Sequence, residues 1–293
     1  MRLNRFLAAA GLGSRRSCEE LILKGSVSVN GSYRRDLATR VSGDDDVRVS
    51  GRPVRAIAPR SILLNKPAGY TTTRSDRHAE RTIFELLPTD AGHLFHVGRL
   101  DKESEGLLLL TNDGLLAQEL MHPSKGVEKE YEVVLDKTFR ASDAAALKKG
   151  TWIEGSVARV EAVRELAPNK IQIILHQGLK RQIRVMLGQL GFKVQRLVRT
   201  RLGPLTLRGI KPGSYRDLRT EDLQMLRKAI ASPRPKREKQ RPPAKPKAIN
   251  FSRFTVTPAK SKKEPSQEKS SSPVYAKRPR KVSPTRTRLR KET

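Results

Sequence analysis

Two hydrophobic patterns follow each other within the first 49 residues. Apolar positions recur at the spacing of a helix at Leu3, Phe6, Leu7 and Ala10. Ser14 is a suitable N-cap for a second helix, and Gly25 is a suitable residue to end it. Val27-Ser28-Val29 then alternates like a strand and meets the tight-turn pair Asn30-Gly31, while Val47–Val49 offers a partner strand. The pattern predicts a small α+β unit.

From residue 61 onward the apolar runs are short and typical of strands, with helical patterns between them. The predicted strands are Ile62–Leu64, Leu107–Leu110, Tyr131–Leu135, Val157–Val163 and Ile171–Leu175. The predicted helices are 114–121, 142–149, 181–191 and 220–230. Gly51, Pro53 and Pro59 favour a linker at 50–60. We therefore predict a second, mixed α+β domain at 61–230 with a largely antiparallel sheet.

Charge adds a third segment and a class of partner. The chain has 60 Lys and Arg against 30 Asp and Glu, a net charge of +30 over 293 residues. Residues 231–293 hold 20 of the basic residues, 4 of the acidic ones and 10 of the 18 prolines. This composition predicts a disordered basic tail with nonspecific affinity for RNA, or a dispensable extension. The excess of cations indicates a polyanionic partner, which charge alone leaves open between RNA, DNA and an anionic membrane.

Several chemistries are disfavoured by what the sequence lacks. The single cysteine, Cys18, permits no disulfide framework and suits a reducing compartment, so we expect a cytoplasmic protein. No apolar run approaches the length of a membrane span. The basic N-terminus also resembles a transit peptide, but an RNA-binding element is favoured. No phosphate-binding loop or metal-ligand cluster is seen, and His93 and His96 are expected to be structural. Chemistry without a cofactor or metal is therefore expected.

One stretch combines a polar loop with a buried strand. It runs Gly-Arg-Leu-Asp-Lys-Glu-Ser-Glu-Gly-Leu-Leu-Leu-Leu-Thr-Asn-Asp-Gly from Gly98 to Gly114. A loop carboxylate held beside a rigid strand suits a nucleophile or a base, although a lone loop aspartate such as Asp101 is more often structural. The full stretch resembles the signature of RsuA-type ribosomal RNA pseudouridine synthases. The N-terminal pattern Gly-x-x-Ser-Arg-Arg with Gly-x-Val-x-Val-Asn-Gly resembles the S4 RNA-binding domain that precedes their catalytic domain.

Two further stretches resemble the same family. They are Lys129-Glu130-Tyr131 and the segment from Gly178 to Leu205 that contains Gln-Ile-Arg and Arg-Leu-Val-Arg-Thr-Arg-Leu-Gly-Pro-Leu. The resemblance spans residues 1 to about 230 and is strongest to the RluF-type enzymes of large-subunit ribosomal RNA. It implies an S4-like domain at 1–49 and a catalytic domain at 61–230 that converts uridine to pseudouridine.

The resemblance implies a role for each candidate site residue. Asp101 is the catalytic carboxylate, which attacks C1′ of the ribose or starts elimination through C2′, two routes that the sequence leaves open. Arg184 is the favoured guanidinium to keep it charged, with Arg181 as the alternative. Tyr131 stacks on the uracil and handles a proton near C5. Leu197 forms an apolar wall, and Arg99 helps fill the gap left by the flipped base.

Cations without interleaved acids indicate contacts to RNA phosphates. In the N-terminal domain these are Arg2, Arg5, Arg15, Arg16 and Lys24. In the catalytic domain they are Lys180, Arg181, Arg184, Lys193, Arg196, Arg199 and Arg201. We expect a monomer that binds structured ribosomal RNA and no membrane. The alternatives are a uridine of small-subunit ribosomal RNA or of tRNA as target, or a ribosome-assembly factor with an inactive second domain.

Overall fold

A computed structural model describes residues 1–74, 76–122 and 125–232. The predicted tail at 231–293 lies outside these residues except for its first two. Among the described residues, no helix has the length and apolar character needed to cross a membrane.

The N-terminal part contains two helices and a small sheet, as predicted. Its helices are α1 (Leu3–Ala9) and α2 (Arg15–Leu23), and its strands are β1 (Val27–Val29), β2 (Ser32–Arg34), β3 (Val47–Val49) and β4 (Arg52–Pro53). The strands form an antiparallel sheet in the order β2-β1-β3-β4. Ser14 caps α2 by accepting a hydrogen bond from the backbone of Ser17, and Gly25 follows it with a φ of 72°.

The small domain has a hydrophobic core of its own. Leu3, Leu7 and Ile22 of the two helices are fully buried against Val27 and Val47 of the sheet. β4 lies within the segment predicted as a linker, because Arg52 and Pro53 pair with β3 across the turn. The sheet therefore extends past residue 49.

The second part is built on a nine-stranded sheet. Its strands are β5 (Ser61–Lys66), β6 (Phe95–His96), β7 (Glu105–Thr111), β8 (Lys129–Leu135), β11 (Ala162–Ala167), β12 (Lys170–Leu175), β13 (Val194–Leu202), β14 (Leu205–Thr206) and β15 (Tyr215–Asp217). The order is β11-β12-β8-β13-β7-β5-β15, with β14 beside β13 and β6 beside β7. All pairs are antiparallel except β13 with β7. The predicted mixed, largely antiparallel sheet is confirmed.

Helices cover both faces of this sheet. They are α3 (Gly114–Met121), α4 (Ala141–Lys149), α5 (Gln182–Gln189) and α6 (Thr220–Ala231), with 3₁₀ turns at Ile83–Leu86 and Thr89–His93. One core contains side chains of α4 and α5, and the other contains side chains of α3 and α6. Alternate leucines of β7 enter the two cores, so this strand is buried on both faces. Its unbroken leucine run is the pattern expected of such a strand.

One predicted strand is wrong. Val157–Val163 is split between β10 (Ser156–Ala158), which pairs with β9 (Thr151–Ile153), and β11 of the large sheet. The buried Val160 continues the apolar pattern across the break, so hydrophobicity alone did not reveal it.

Candidate active site

The loop that carries Asp101 connects β6 to β7 and is held by the segment that follows β5. Thr72 Oγ1 donates a hydrogen bond of 2.7 Å to the carbonyl of Leu100. It also accepts one of 3.3 Å from the Leu100 backbone N–H. The Gly69 backbone N–H donates to the carbonyl of Lys102 at 2.8 Å. Leu100 is buried in the core on the α4–α5 side, so backbone bonds and packing both fix this loop.

Lys66 holds the same loop from beneath. Its Nζ lies 2.6 Å from the carbonyl oxygen of Ser104, 3.2 Å from that of Asp101 and 3.3 Å from that of Lys102. A fourth carbonyl, of Pro67, lies at 3.0 Å. The side chain is fully buried at the end of β5. Burial lowers the pKa of Lys66 to about 8, although nearby carboxylates oppose that shift. An ammonium group therefore fixes the backbone of the Asp101 loop.

The carboxylate of Asp101 points outward from this fixed backbone and is 33% exposed. Its Oδ2 lies 3.9 Å from Nη1 of Arg181. The same guanidinium nitrogen forms a closer ion pair with Glu103, at 3.0 Å. Burial acts to raise the pKa of Glu103, but hydrogen bonds, one of them from Arg181, bring it below its usual value. Arg181 is thus shared between two carboxylates of the loop.

Arg184 is near this pair, but Asp101 lies within 4 Å of Arg181 and not of Arg184. Arg181 immediately precedes α5 with a left-handed backbone (φ 51°, ψ 27°), a conformation unusual for a residue other than glycine. Arg184 lies one turn further along α5 and donates to the Val194 carbonyl at 3.1 Å. Burial lowers the pKa of Arg184, while the charges of Glu103 and Asp101 oppose that shift. Its buried Nε has no hydrogen-bond partner among the described residues.

Tyr131 and Leu197 lie in the same core as Leu100. Tyr131 is 8% exposed on β8, and Leu197 is 6% exposed on the neighbouring strand β13. Ile183 of α5 belongs to this core as well. The structure therefore joins three sequence motifs, carried by the Asp101 loop, by β8 and by α5–β13, around one apolar cluster. Arg99, the residue before Leu100, is exposed to solvent.

Three of the cations predicted to contact phosphates form contacts within the protein. Arg196 forms a bidentate pair with Glu105, with both nitrogen–oxygen distances at 2.9 Å. Arg201 binds Glu128 at 3.0 Å and Glu130 at 3.1 Å. The acidic partners come from β7, β8 and the residue before β8, so two cations of a segment free of acids in sequence are paired with carboxylates from elsewhere in the chain. Lys180, Arg181, Lys193 and Arg196 are exposed.

Arg199 is the most deeply buried of these three cations, since it is only 3% exposed. Its Nε donates to the carbonyl of Leu107 at 2.7 Å, and its Nη2 has no hydrogen-bond partner among the described residues. Gly106 lies against the backbone of Arg199, where a Cβ atom would come within 2.3 Å of the carbonyl oxygen. A glycine is required here because the strands β7 and β13 approach so closely.

The predicted cations of the N-terminal domain gather at a groove of ≈310 Å³ on its two helices. The groove is lined by Arg2, Asn4, Arg5, Arg15, Arg16 and Glu19. All four arginines are exposed. Lys24, the fifth predicted cation, is exposed but does not line the groove. This groove is a candidate RNA-binding surface.

Lys66 and Thr72 are the site residues that sequence reasoning missed. Lysine is almost never fully buried unless it is paired, so a lysine at the end of an apolar strand indicates a buried partner for its ammonium group. The run Ile62-Leu63-Leu64-Asn65-Lys66 has such a lysine. What the sequence does not contain is the identity of its partners, which are backbone carbonyls more than 30 residues away. His96, expected to be structural, lies 2.9 Å from the Gly98 carbonyl through Nδ1, and burial lowers its pKa.

Comparisons with known proteins agree with this arrangement. Residues 60–189 match the RNA pseudouridylate synthase family, and residues 1–47 match the S4 domain. The chain is 38% identical to an uncharacterized RNA pseudouridine synthase of Aquifex aeolicus, over 78% of this chain and 95% of that protein. It is 36% identical to the dual-specificity RNA pseudouridine synthase RluF of Escherichia coli, over 87% and 88%.

Among solved structures, a crystal structure of a pseudouridylate synthase superposes with a TM-score of 0.57 at 24% identity. The match covers 77% of this chain and 99% of that one. This likeness shows the fold: an S4 domain followed by a pseudouridine synthase sheet.

Proposed function

The chain belongs to the RNA pseudouridylate synthase family and carries an S4 domain, and from this premise we propose that it converts specific uridines of ribosomal RNA to pseudouridine with Asp101 as the catalytic carboxylate. The observation that carries the proposal is the fixed loop of Asp101. Lys66 and Thr72 hold its backbone, while its carboxylate stays accessible beside the cluster of Tyr131 and Leu197.

The reaction requires the protein only to position the nucleotide and to supply charged groups. The N1–C1′ bond of uridine breaks, the uracil turns, C5 bonds to C1′, and the proton on C5 is lost while N1 gains one. The formula is unchanged, so no oxidant or energy source is consumed. An ionised Asp101 can bond to C1′ or remove a proton from C2′. The Arg181 guanidinium lies 3.9 Å from this carboxylate, close enough for its positive charge to attract the anion.

Tyr131 and Leu197 supply the apolar part of the proposed pocket. A flipped base is held by stacking and by apolar side chains, and Tyr131 offers a ring for this on β8. Its hydroxyl is the proposed group for proton handling at C5. Arg184 acts at longer range, through the field that it adds to that of Arg181 at Asp101. Arg99, exposed beside Leu100, is positioned to meet the RNA strand from which the base has left.

Large-subunit ribosomal RNA is the proposed target class, because 36% identity to RluF extends over most of the chain. RluF of Escherichia coli is named a dual-specificity enzyme, so a second class of target belongs to the same proposal. The S4-like domain (1–49), a linker, the catalytic domain (61–230) and the basic tail (231–293) are the proposed functional units. The exposed cations Lys180, Lys193 and Arg196 are the proposed contacts to phosphates near the flipped nucleotide.

The deciding experiment compares the wild type with Asp101→Asn on ribosomal RNA transcripts. Pseudouridine is mapped by reverse-transcription stops after carbodiimide treatment. The matched control is Glu103→Gln, which neutralises a carboxylate of the same loop two residues away. We expect the wild type and Glu103→Gln to form pseudouridine and Asp101→Asn to form none. Product from Asp101→Asn would refute the assigned role, and no product from any of the three proteins would favour an RNA-binding assembly factor.

A further inference from the structure

An acidic side chain lies within the arginine groove of the N-terminal domain. Glu19 of α2 lines the groove together with four arginines. Its Oε1 accepts a hydrogen bond of 2.7 Å from Nδ2 of Asn4, a residue of α1 that is only 8% exposed. The carboxylate is therefore held in place by a neutral amide on the neighbouring helix.

A carboxylate in this position is unexpected if the groove only binds phosphates. It would repel them, and an acid beside several arginines would ordinarily form an ion pair. Among the described residues, however, no basic nitrogen lies within 4.0 Å of the Glu19 carboxylate. Its Oε2 accepts no hydrogen bond from these residues either. Glu19 is thus held in a fixed orientation, with one acceptor oxygen left free by the described residues.

We infer that Glu19 accepts a hydrogen bond from the ribose 2′-hydroxyl of a nucleotide whose phosphate is held by the groove arginines. This inference rests on the proposed function, since it requires an RNA substrate. The 2′-hydroxyl is the donor that distinguishes RNA from DNA at a given site. A strand without it would bring phosphates to the carboxylate with no compensating hydrogen bond. Arginines and Glu19 together therefore make the groove selective for RNA rather than for polyanions in general.

The test measures binding separately from catalysis. The probes are a synthetic RNA hairpin that contains no uridine and its 2′-fluoro analogue, which keeps the A-form but cannot donate from the 2′ position. Binding to the full chain is followed by fluorescence anisotropy at a fixed salt concentration, because affinity for nucleic acid depends on salt. We expect the wild type to bind the hydroxyl form about tenfold more tightly, as for a hydrogen bond to a charged group.

Glu19→Ala is expected to abolish the preference by acting in opposite directions on the two probes. It weakens binding of the hydroxyl hairpin and tightens binding of the fluoro hairpin, because a negative charge leaves the groove. The matched control is Glu20→Ala, which removes an exposed carboxylate from the adjacent position of the same helix and should retain the preference. Glu19→Gln keeps a neutral acceptor and should retain a smaller preference, which covers the case in which Glu19→Ala does not fold.

Two results would overturn the inference. The first is a folded Glu19→Ala variant that retains the wild-type preference or loses affinity equally for both hairpins. Glu19 then accepts no hydrogen bond from the 2′-hydroxyl, and the proposed enzymatic function is unaffected. If the wild type binds neither hairpin, the inference fails together with the RNA-binding part of the proposed function. The modification assay with Asp101→Asn distinguishes these cases, because it reports catalysis directly.

Discussion

Lys66 provides the sharpest test of how the Asp101 loop is held. Replacing it with methionine keeps most of the side-chain volume in the fully buried site but removes the ammonium group. The carbonyls of Asp101, Lys102 and Ser104 then lose their shared donor. We expect a folded enzyme in which the carboxylate of Asp101, the proposed catalytic group, is no longer fixed, because only the contacts of Thr72 and Gly69 remain.

The size of the effect follows from opposing contributions. Hydrogen bonds from a charged donor contribute about 1.5–3 kcal/mol each, and an ammonium has three N–H groups to give. Against this, lowering the pKa from 10.5 to about 8 means that keeping the charge in the folded state costs about 3 kcal/mol. The net destabilisation is about 1.5–6 kcal/mol, or a Tm lower by roughly 3–24 °C for a domain of this size. A displacement of about 1 Å at the reacting centre lowers kcat about 100-fold.

The assay is single-turnover release of tritium from transcripts labelled at C5 of uridine, with thermal unfolding followed in parallel. Lys102→Met is the matched control, since Lys102 is an exposed lysine of the same loop, 3.4 Å from Glu80. We expect this control to stay within about threefold of the wild type, because exposed ion pairs contribute little. A folded Lys66→Met enzyme with wild-type kcat would refute the reasoning. A rise in KM at constant kcat would do the same, because it would place Lys66 in binding rather than in positioning.

Further outcomes follow from the same structure. The pKa of Lys66 is about 8 in the folded state and near 10.5 in the unfolded state. Between pH 8 and pH 10.5, therefore, the unfolded chain binds this proton more strongly than the folded chain does. The free energy of unfolding therefore rises with pH through this window, and denaturant titrations should show that Lys66→Met loses that part of the slope. Gly106→Ala should lower Tm by at least about 5 °C or prevent folding, because the new Cβ atom would lie 2.3 Å from the Arg199 carbonyl oxygen. Arg181→Ala should lower kcat about tenfold, whereas Glu103→Gln, which only frees Arg181, should change it less than about threefold. Equal single-turnover rates for these two variants would contradict the role of Arg181.

Features set by neighbouring residues were predictable from the sequence. The cap at Ser14, the turn at Asn30-Gly31 and the helix Gly114–Met121 each depend on a few consecutive side chains, and the structure has them as predicted. The leucine run of β7 likewise predicted a buried strand, which the structure has. The resemblance to a family then supplied the candidate residues Asp101 and Tyr131, which neither periodicity nor composition could single out.

Features set by distant residues were not predictable. The pairs Arg196–Glu105 and Arg201–Glu130 join positions 91 and 71 residues apart, so the cations looked free in sequence. The sequence likewise did not reveal that Arg181 rather than Arg184 lies within 4 Å of Asp101, or that Arg181 has a left-handed backbone. Such details arise when strands pair, and only the three-dimensional register reveals them.

The parallel pairing of β7 with β13 has a consequence for how the enzyme acquires activity. It joins Glu105 and Gly106 to Val198 and Arg199, closing a loop of about 90 residues, whereas most other pairings of the sheet close shorter ones. Asp101 lies on one side of this junction, and Tyr131 and Arg181 lie on the other. Contacts of high sequence separation form slowly during folding. We therefore expect the pairs β5–β7 and β8–β13 to form before this junction, so that recovered activity during refolding reports the pairing of β7 with β13.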